Sequence, residues 1–197
     1  MQLLDEITSP ECRAFAEAWQ RWRGVELVPR RAAVRIEEIS KLLPLVSLVE
    51  LISPDLARVR LAGTALCEAM GVELSGLNYF EMTEPEDRAL RVARTMPLSE
   101  HPCASHYMHP LAYQSGRTIP TEGLSLPVLP DDSSAPPQFF AIWCALEDMH
   151  LEGTTVEPNK VPMAEGFQFV DIGAGIPDPG LNLTDRPPAT FLPSQAS

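Results

Sequence analysis

The order of local patterns along the 197-residue chain predicts an α+β domain. Its expected core is a five-stranded antiparallel sheet, with short helices on one face inserted after the second strand and helices ahead of the first. Three observations carry this expectation. Two apolar stripes at helical spacing come first, and β-rich runs then arrive as neighbours joined by short turns, as antiparallel hairpins require. No long helix separates one strand from the next, so a doubly wound parallel sheet does not fit.

Thr8-Ser9-Pro10-Glu11 reads as a helix start, with Ser9 as cap and Pro10 at the first helical position, or with Thr8 and Glu11 as a capping box. Cys12, Phe15, Trp19 and Trp22 then form one apolar stripe, opposite Arg13, Glu17, Gln20 and Arg21, and Gly24 ends the run. A second helical pattern sets Ile36, Ile39, Leu42 and Leu43 against Glu37, Glu38 and Lys41, and Pro44 closes it. Val46–Ile52 and Ala57–Ala62 read as a hairpin across Ser53-Pro54-Asp55. A short helix, Ala65–Met70, stops at Gly71, a left-handed cap, and a second glycine turn at Gly76 leads into Leu77–Phe80.

Thr83-Glu84-Pro85-Glu86 reads as a capping box opening a helix to about Met96. Ser105–Tyr113 meets Thr118–Val128 across Gln114-Ser115-Gly116-Arg117, and Phe139–Leu146 supplies the fifth strand. Pro110 and Pro127 inside these strands point to edges or bulges. Residues 153–197 hold 7 of the 20 prolines and one convincing apolar segment, Phe167–Ile172, which is expected to cover an edge of the domain. Leu181–Ser197 reads as extended or disordered. The expected division is a helical segment at 1–44, a sheet core at 45–150 and a Pro-rich extension at 151–197.

The run Arg58–Met82, RVRLAGTALCEAMGVELSGLNYFEM, is the most specific string in the chain. With the Trp-bearing helix before it and the late antiparallel strands after it, it resembles a divergent bacterial PAS-type family. The matching positions are Trp19 and Trp22, then Arg60-Leu61-Ala62-Gly63-Thr64, Gly71 and Leu74-Ser75-Gly76. The resemblance spans roughly residues 10–150. It implies a sensory or regulatory module, not an enzyme, that binds a small molecule or a signalling protein. The implied pocket lies between the concave sheet face and the short helices, lined by Leu61, Leu66, Met70, Leu77, Phe80, Leu126, Phe140 and Trp143. The same residues would serve a plain filled core, so a constitutive interaction module without ligand stands as the alternative. No cofactor is named by the sequence. Cys67 lacks the string around it by which light-sensing relatives attach flavin.

His101, Cys103, His106 and His109 gather imidazole and thiol donors suited to zinc, copper or haem iron into nine residues. A metal-dependent enzyme built on them is the outlying reading. On a strand, however, His106 and His109 point to opposite faces, and only His150 stands elsewhere to complete a site. Cys103 with His101 or His106 makes a weak nucleophile pair, since Glu100 is the nearby charge and no cation is close. Five arginines between residues 21 and 35 (Arg21, Arg23, Arg30, Arg31, Arg35) form the one basic concentration. Pairing with the chain's own acids is the plainer account of them; an acidic partner is the functional one.

A formal net charge of −12 disfavours nucleic acid as partner. MQLLDEITSPE lacks the features of a secretory signal, and Leu42–Val49 is far short of the roughly 20 residues of a membrane span. Four scattered cysteines without a CxxC pair read as reduced thiols, and the expected location is cytoplasmic. A chain of 197 residues has no room beside this domain for a kinase, cyclase or DNA-reading segment, so a stand-alone module acting through a partner is expected. A homodimer is expected as well, joined through Cys12, Phe15, Trp19 and Trp22, because that stripe must be buried somewhere. The competing account is that the helix caps its own sheet.

Overall fold

The computed structural model describes residues 2–5, 7–146, 150–151 and 153–177. One turn, α1 (Gln2–Asp5), precedes α2 (Pro10–Arg23), which begins where its capping chemistry places it. The Cys12 N–H donates to Ser9 Oγ at 3.3 Å, and Pro10 fills a position whose N–H has no helical partner in any case. The second apolar stripe is not an α-helix. After a 3₁₀ turn at Arg31–Ala33 it forms two more, Ile36–Ile39 and Leu43–Leu45, with Leu42 N–H bonded to Ile39 O and Leu45 N–H to Leu42 O, both at 2.8 Å. Ile36, Ile39, Leu42 and Leu45 recur at every third residue, the period of a 3₁₀ helix. Pro44 stands inside the last turn instead of ending a helix.

The first hairpin, β1 (Val46–Ser53) and β2 (Leu56–Ala62), leads into α3 (Thr64–Met70). Gly71 caps α3 at φ 67°, and its N–H reaches the carbonyls of Cys67 and Glu68. The left-handed geometry is why glycine stands there. The next helix starts later than the capping box suggests, as α4 (Arg88–Thr95), followed by α5 (Pro97–Glu100). Tertiary bonding overrides the local signal: Met82 O accepts Val161 N–H at 2.7 Å, and Thr83 is buried with its hydroxyl unpaired. The remaining strands are β3 (Cys103–Ala112), β4 (Thr118–Val128), β5 (Gln138–Ala145) and β6 (Gly166–Asp171).

All pairs are antiparallel and the order is β2-β1-β5-β4-β3-β6, so the sheet has six strands and not five. The sixth comes from the segment read as an extension. It pairs with β3 from Cys103 facing Asp171 to Met108 facing Gly166. Phe167 and Phe169 are buried on one face of the sheet and Val170 on the other, which closes an edge that β3 would otherwise leave open. Pro110 lies past the end of β6, and Pro127 lies past the last β3–β4 pair, Ser105 with Ser125, so neither faces a ladder partner on that side. Leu181–Ser197 lies outside the described residues.

Strand parity divides the interior in two. α2 covers one face, with Cys12, Phe15, Trp19 and Trp22 packed against Val46, Leu48, Leu124, Leu126, Phe140 and Ile142. α3 and the segments after it cover the other, where Leu66, Met70, Phe80 and Met82 meet Val49, Val59, Phe139, Ala141 and Trp143. The register steps from Leu48 facing Leu61 to Val49 facing Val59, so Arg60 bulges from β2, and Val59 and Leu61, two apart, serve opposite faces.

Candidate functional site

The face opposite α2 holds two adjoining cavities of about 40 and 30 Å³, which share Tyr79, Tyr107, Phe139, Trp143 and Val161 as walls. The larger is the polar one. β3 contributes Ser105, Tyr107 and His109 at alternate positions, all therefore on one face, β4 contributes Ser125, and α4 contributes Arg91 and Arg94. Residues Val161, Pro162, Met163 and Ala164 close it as a strap. The strap is stitched down at both ends, by Val161 N–H to Met82 O at 2.7 Å and Glu165 N–H to Met108 O at 3.0 Å.

Both arginines face inward, and each is buried. Arg91 donates Nη1 to the Tyr79 hydroxyl at 2.6 Å, and Nη2 to the carbonyls of Val161 at 2.7 Å and Pro162 at 2.9 Å. Its Nε has no partner. The guanidinium of Arg94 lies 4.7 Å over the Phe167 ring, and its Nη1 donates to Ala164 O at 3.4 Å.

His109 is 2% exposed and neither ring nitrogen has a hydrogen-bond partner. Burial, aided by the positive charge of Arg91, pushes its pKa down to about 3, so the imidazole is neutral. It stacks on Tyr107 at 5.9 Å and meets Trp143 edge-on at 5.1 Å. The Trp143 indole N–H donates to the Tyr107 hydroxyl at 3.1 Å, and burial raises the Tyr107 pKa above the usual phenol value. Tyr107 lies across Gly123 of the paired strand, where any Cβ would collide with its ring. The smaller cavity is lined mainly by Val49, Val59, Leu66, Leu74, Met82 and Ala141.

Of the eight residues expected to line a pocket, Leu66 and Trp143 do so. Met70 and Phe80 share that core without reaching a cavity. Leu61, Leu126 and Phe140 belong to the α2 face. Leu77 is 36% exposed on a segment whose backbone bonds along β2, including Val59 N–H to Leu77 O at 3.0 Å. The signal for the strand residues was present: Phe140 and Trp143 are three apart and cannot share a face, whereas Phe139, Ala141 and Trp143 do. The same parity picks out Tyr107 beside His109. No such signal marks Arg91 and Arg94, whose acceptors lie about 70 residues away in the strap.

The stripe expected at a subunit interface is spent within the chain. Cys12, Phe15 and Trp19 are 0% exposed and Trp22 7%, with Phe15 edge-on to Phe140 at 6.2 Å and the Trp19 indole N–H donating to Pro127 O at 2.8 Å. Those side chains are covered by their own sheet. The four candidate metal ligands do not converge. His106 turns to the α2 face, where its Nε2 lies 2.7 Å from Glu122 Oε1, while His109 faces the cavity. Cys103 is buried, which pushes its thiol pKa to about 12. Among the described residues no group of three or more His, Cys, Asp or Glu could hold a metal ion. Of the arginines at 21–35, Arg21 pairs with Glu38 at 3.0 Å, Arg23 donates to Ile172 O at 2.7 Å, and Arg31 lies 5.5 Å over Phe140.

Among the described residues no helix is long and apolar enough to cross a membrane. No curated protein sequence matches the chain. The chain is similar to the LOV protein of Rhodobacter sphaeroides, at 16% identity and a TM-score of 0.39 over 53% of this chain and 60% of that one. It is also similar to the PAS domain of an HTR-like protein from Haloarcula marismortui, at 16% identity and a TM-score of 0.35 over 59% and 98% of the two chains. The family model described as a PAS domain matches residues 7–142, and the chain belongs to the PAS domain family, a family of sensory and signalling modules.

Proposed function

We propose that this PAS domain takes a small molecule into the paired cavities between the sheet and the strap and reports its presence to a protein partner. The role is regulatory and not catalytic. The observation that supports it is His109, a fully buried imidazole with two unpartnered nitrogens aimed into a cavity that Arg91 also lines. Leaving such groups unpaired costs roughly 1–3 kcal/mol each, a cost that a ligand bonding them would offset. The strap also suits transmission, because it holds Arg91 through two carbonyls and joins β6 at the sheet edge. A second reading, a constitutive interaction module with a filled core, is favoured by the size of the cavities, about 40 and 30 Å³.

Native mass spectrometry of freshly purified protein separates the two. The sensor reading expects extra mass that is released on denaturation, or a cavity that accepts added ligand. A bare mass together with a cavity inert to every added probe would leave the filled-core module.

A further inference from the structure

The donors at the polar end have a definite chemistry. Arg91 is a cation whose bonded partners are all neutral: one phenol and two backbone carbonyls. Its Nε–H is buried and unpaired, and neutral His109 offers one further N–H. Among the described residues the lining of this cavity contains no Asp or Glu, while Ser105 and Ser125 add hydroxyls. A buried cation with a spare donor and no carboxylate among those residues calls for an acceptor carrying negative charge. Behind it, past Tyr107 and Trp143, the second cavity is walled by aliphatic side chains and asks for alkyl carbon.

Size narrows the class. A water needs about 10–15 Å³ of such space, so cavities of about 40 and 30 Å³ hold about five to seven heavy atoms, about three or four in the first and two or three in the second. A carboxylate head fits the first share and a short chain the second. A tetrahedral phosphate would fill the polar end, ask for more donors than stand there, and leave the apolar end empty.

We infer that the ligand is a short-chain monocarboxylate, of about three to five carbons by that volume, its carboxylate on Arg91 and His109 and its tail between Val49, Val59, Leu66 and Met82. This deepens the sensor reading and rests on it. The anion takes the Arg91 Nε–H and a His109 N–H, and its tail displaces no hydrogen-bonded group.

The test is a titration of the full ¹⁵N-labelled chain with sodium butyrate, read at the Trp143 indole N–H and assigned with Trp143→Phe. Butyramide and inorganic phosphate are the comparison probes, and native mass is recorded in parallel. The expected result is a saturable shift with butyrate, at least tenfold weaker binding of butyramide, and no response to phosphate. His109→Leu, which removes an unpaired polar group and so spares the fold, is expected to weaken butyrate at least tenfold. Butyramide binding as tightly as butyrate overturns the anion while leaving the pocket. A Trp143 signal silent to butyrate, in protein that carries some other bound mass, overturns the monocarboxylate and spares the sensor reading. Silence to all probes with a bare mass overturns both.

Discussion

Ser9 donates its backbone N–H to Glu122 Oε2 at 2.6 Å, across 113 residues of chain. Glu122 Oε1 accepts Thr8 N–H at 2.8 Å and faces His106 Nε2 at 2.7 Å. A carboxylate at 0% exposure on β4 therefore holds the first turn of α2 against the sheet, with three donors on two oxygens. Gln168 Nε2 lies 3.4 Å from His106 Nδ1, which brings the added strand β6 into the same network.

Glu122→Ala strands three buried donors at once. The expected loss is about 3–5 kcal/mol in urea unfolding, the range for breaking one side of a buried, hydrogen-bonded pair. Glu122→Gln keeps an acceptor for the backbone and is expected to cost less. A loss under about 1 kcal/mol for the alanine variant would show that the anchor is incidental.

Trp19→Ala and Trp22→Ala test whether α2 packs on its own sheet or joins a dimer. With both indoles packed on their own sheet, each substitution is expected to cost about 3–5 kcal/mol, and the pair to abolish cooperative unfolding. A folded double variant with lowered mass in light scattering contradicts the burial described here.

His109 has a folded pKa of about 3 against an ordinary value of 6.5. Between those values the unfolded chain binds the proton and the folded one does not. The contribution of this site to stability is therefore full above about pH 6.5 and falls as the pH drops toward 3. His109→Leu removes that slope and relieves two unpaired nitrogens, for a gain of about 1 kcal/mol at neutral pH. Thermal unfolding of both proteins at pH 7 and pH 4.5 checks it, and parallel pH dependences would contradict the assignment.

Gly123→Ala drives a methyl into the Tyr107 ring. Overpacking of this kind costs about 1–3 kcal/mol. Displacing Tyr107 also removes the acceptor of the Trp143 indole, so the Trp143 emission is expected to change relative to the unsubstituted protein. An unchanged spectrum would mean that Tyr107 has other room.

Thiol labelling separates the cysteines. Cys12, Cys103 and Cys144 are buried, and burial with the neighbouring Cys144 thiol, whose sulfur is 3.1 Å away, raises the Cys12 pKa well above the ordinary value. Cys67 is half-buried on α3. An aromatic disulfide reagent is expected to find one fast thiol in the native protein and four after denaturation. More than one fast thiol in the native state refutes this packing.

Local chemistry alone determined much of this protein. Ser9-Pro10 placed α2, Gly71 ended α3, and the alternating runs with their turns placed five strands, because caps, φ > 0 and period-2 patterns act within a few residues. The opposite faces of His106 and His109 followed from the same parity. Tertiary structure decided what local signals cannot carry. The Cys12–Trp22 stripe demanded burial without saying against what, and the answer lay in Leu124, Leu126 and Phe140 more than 100 residues away. Phe167–Val170 became a sixth strand only because β3 presented an open edge to it. Nothing in the sequence near Arg91 and Arg94 marks their acceptors, the carbonyls of the 161–164 strap about 70 residues away. Long-range partners set the faces, and with them the site.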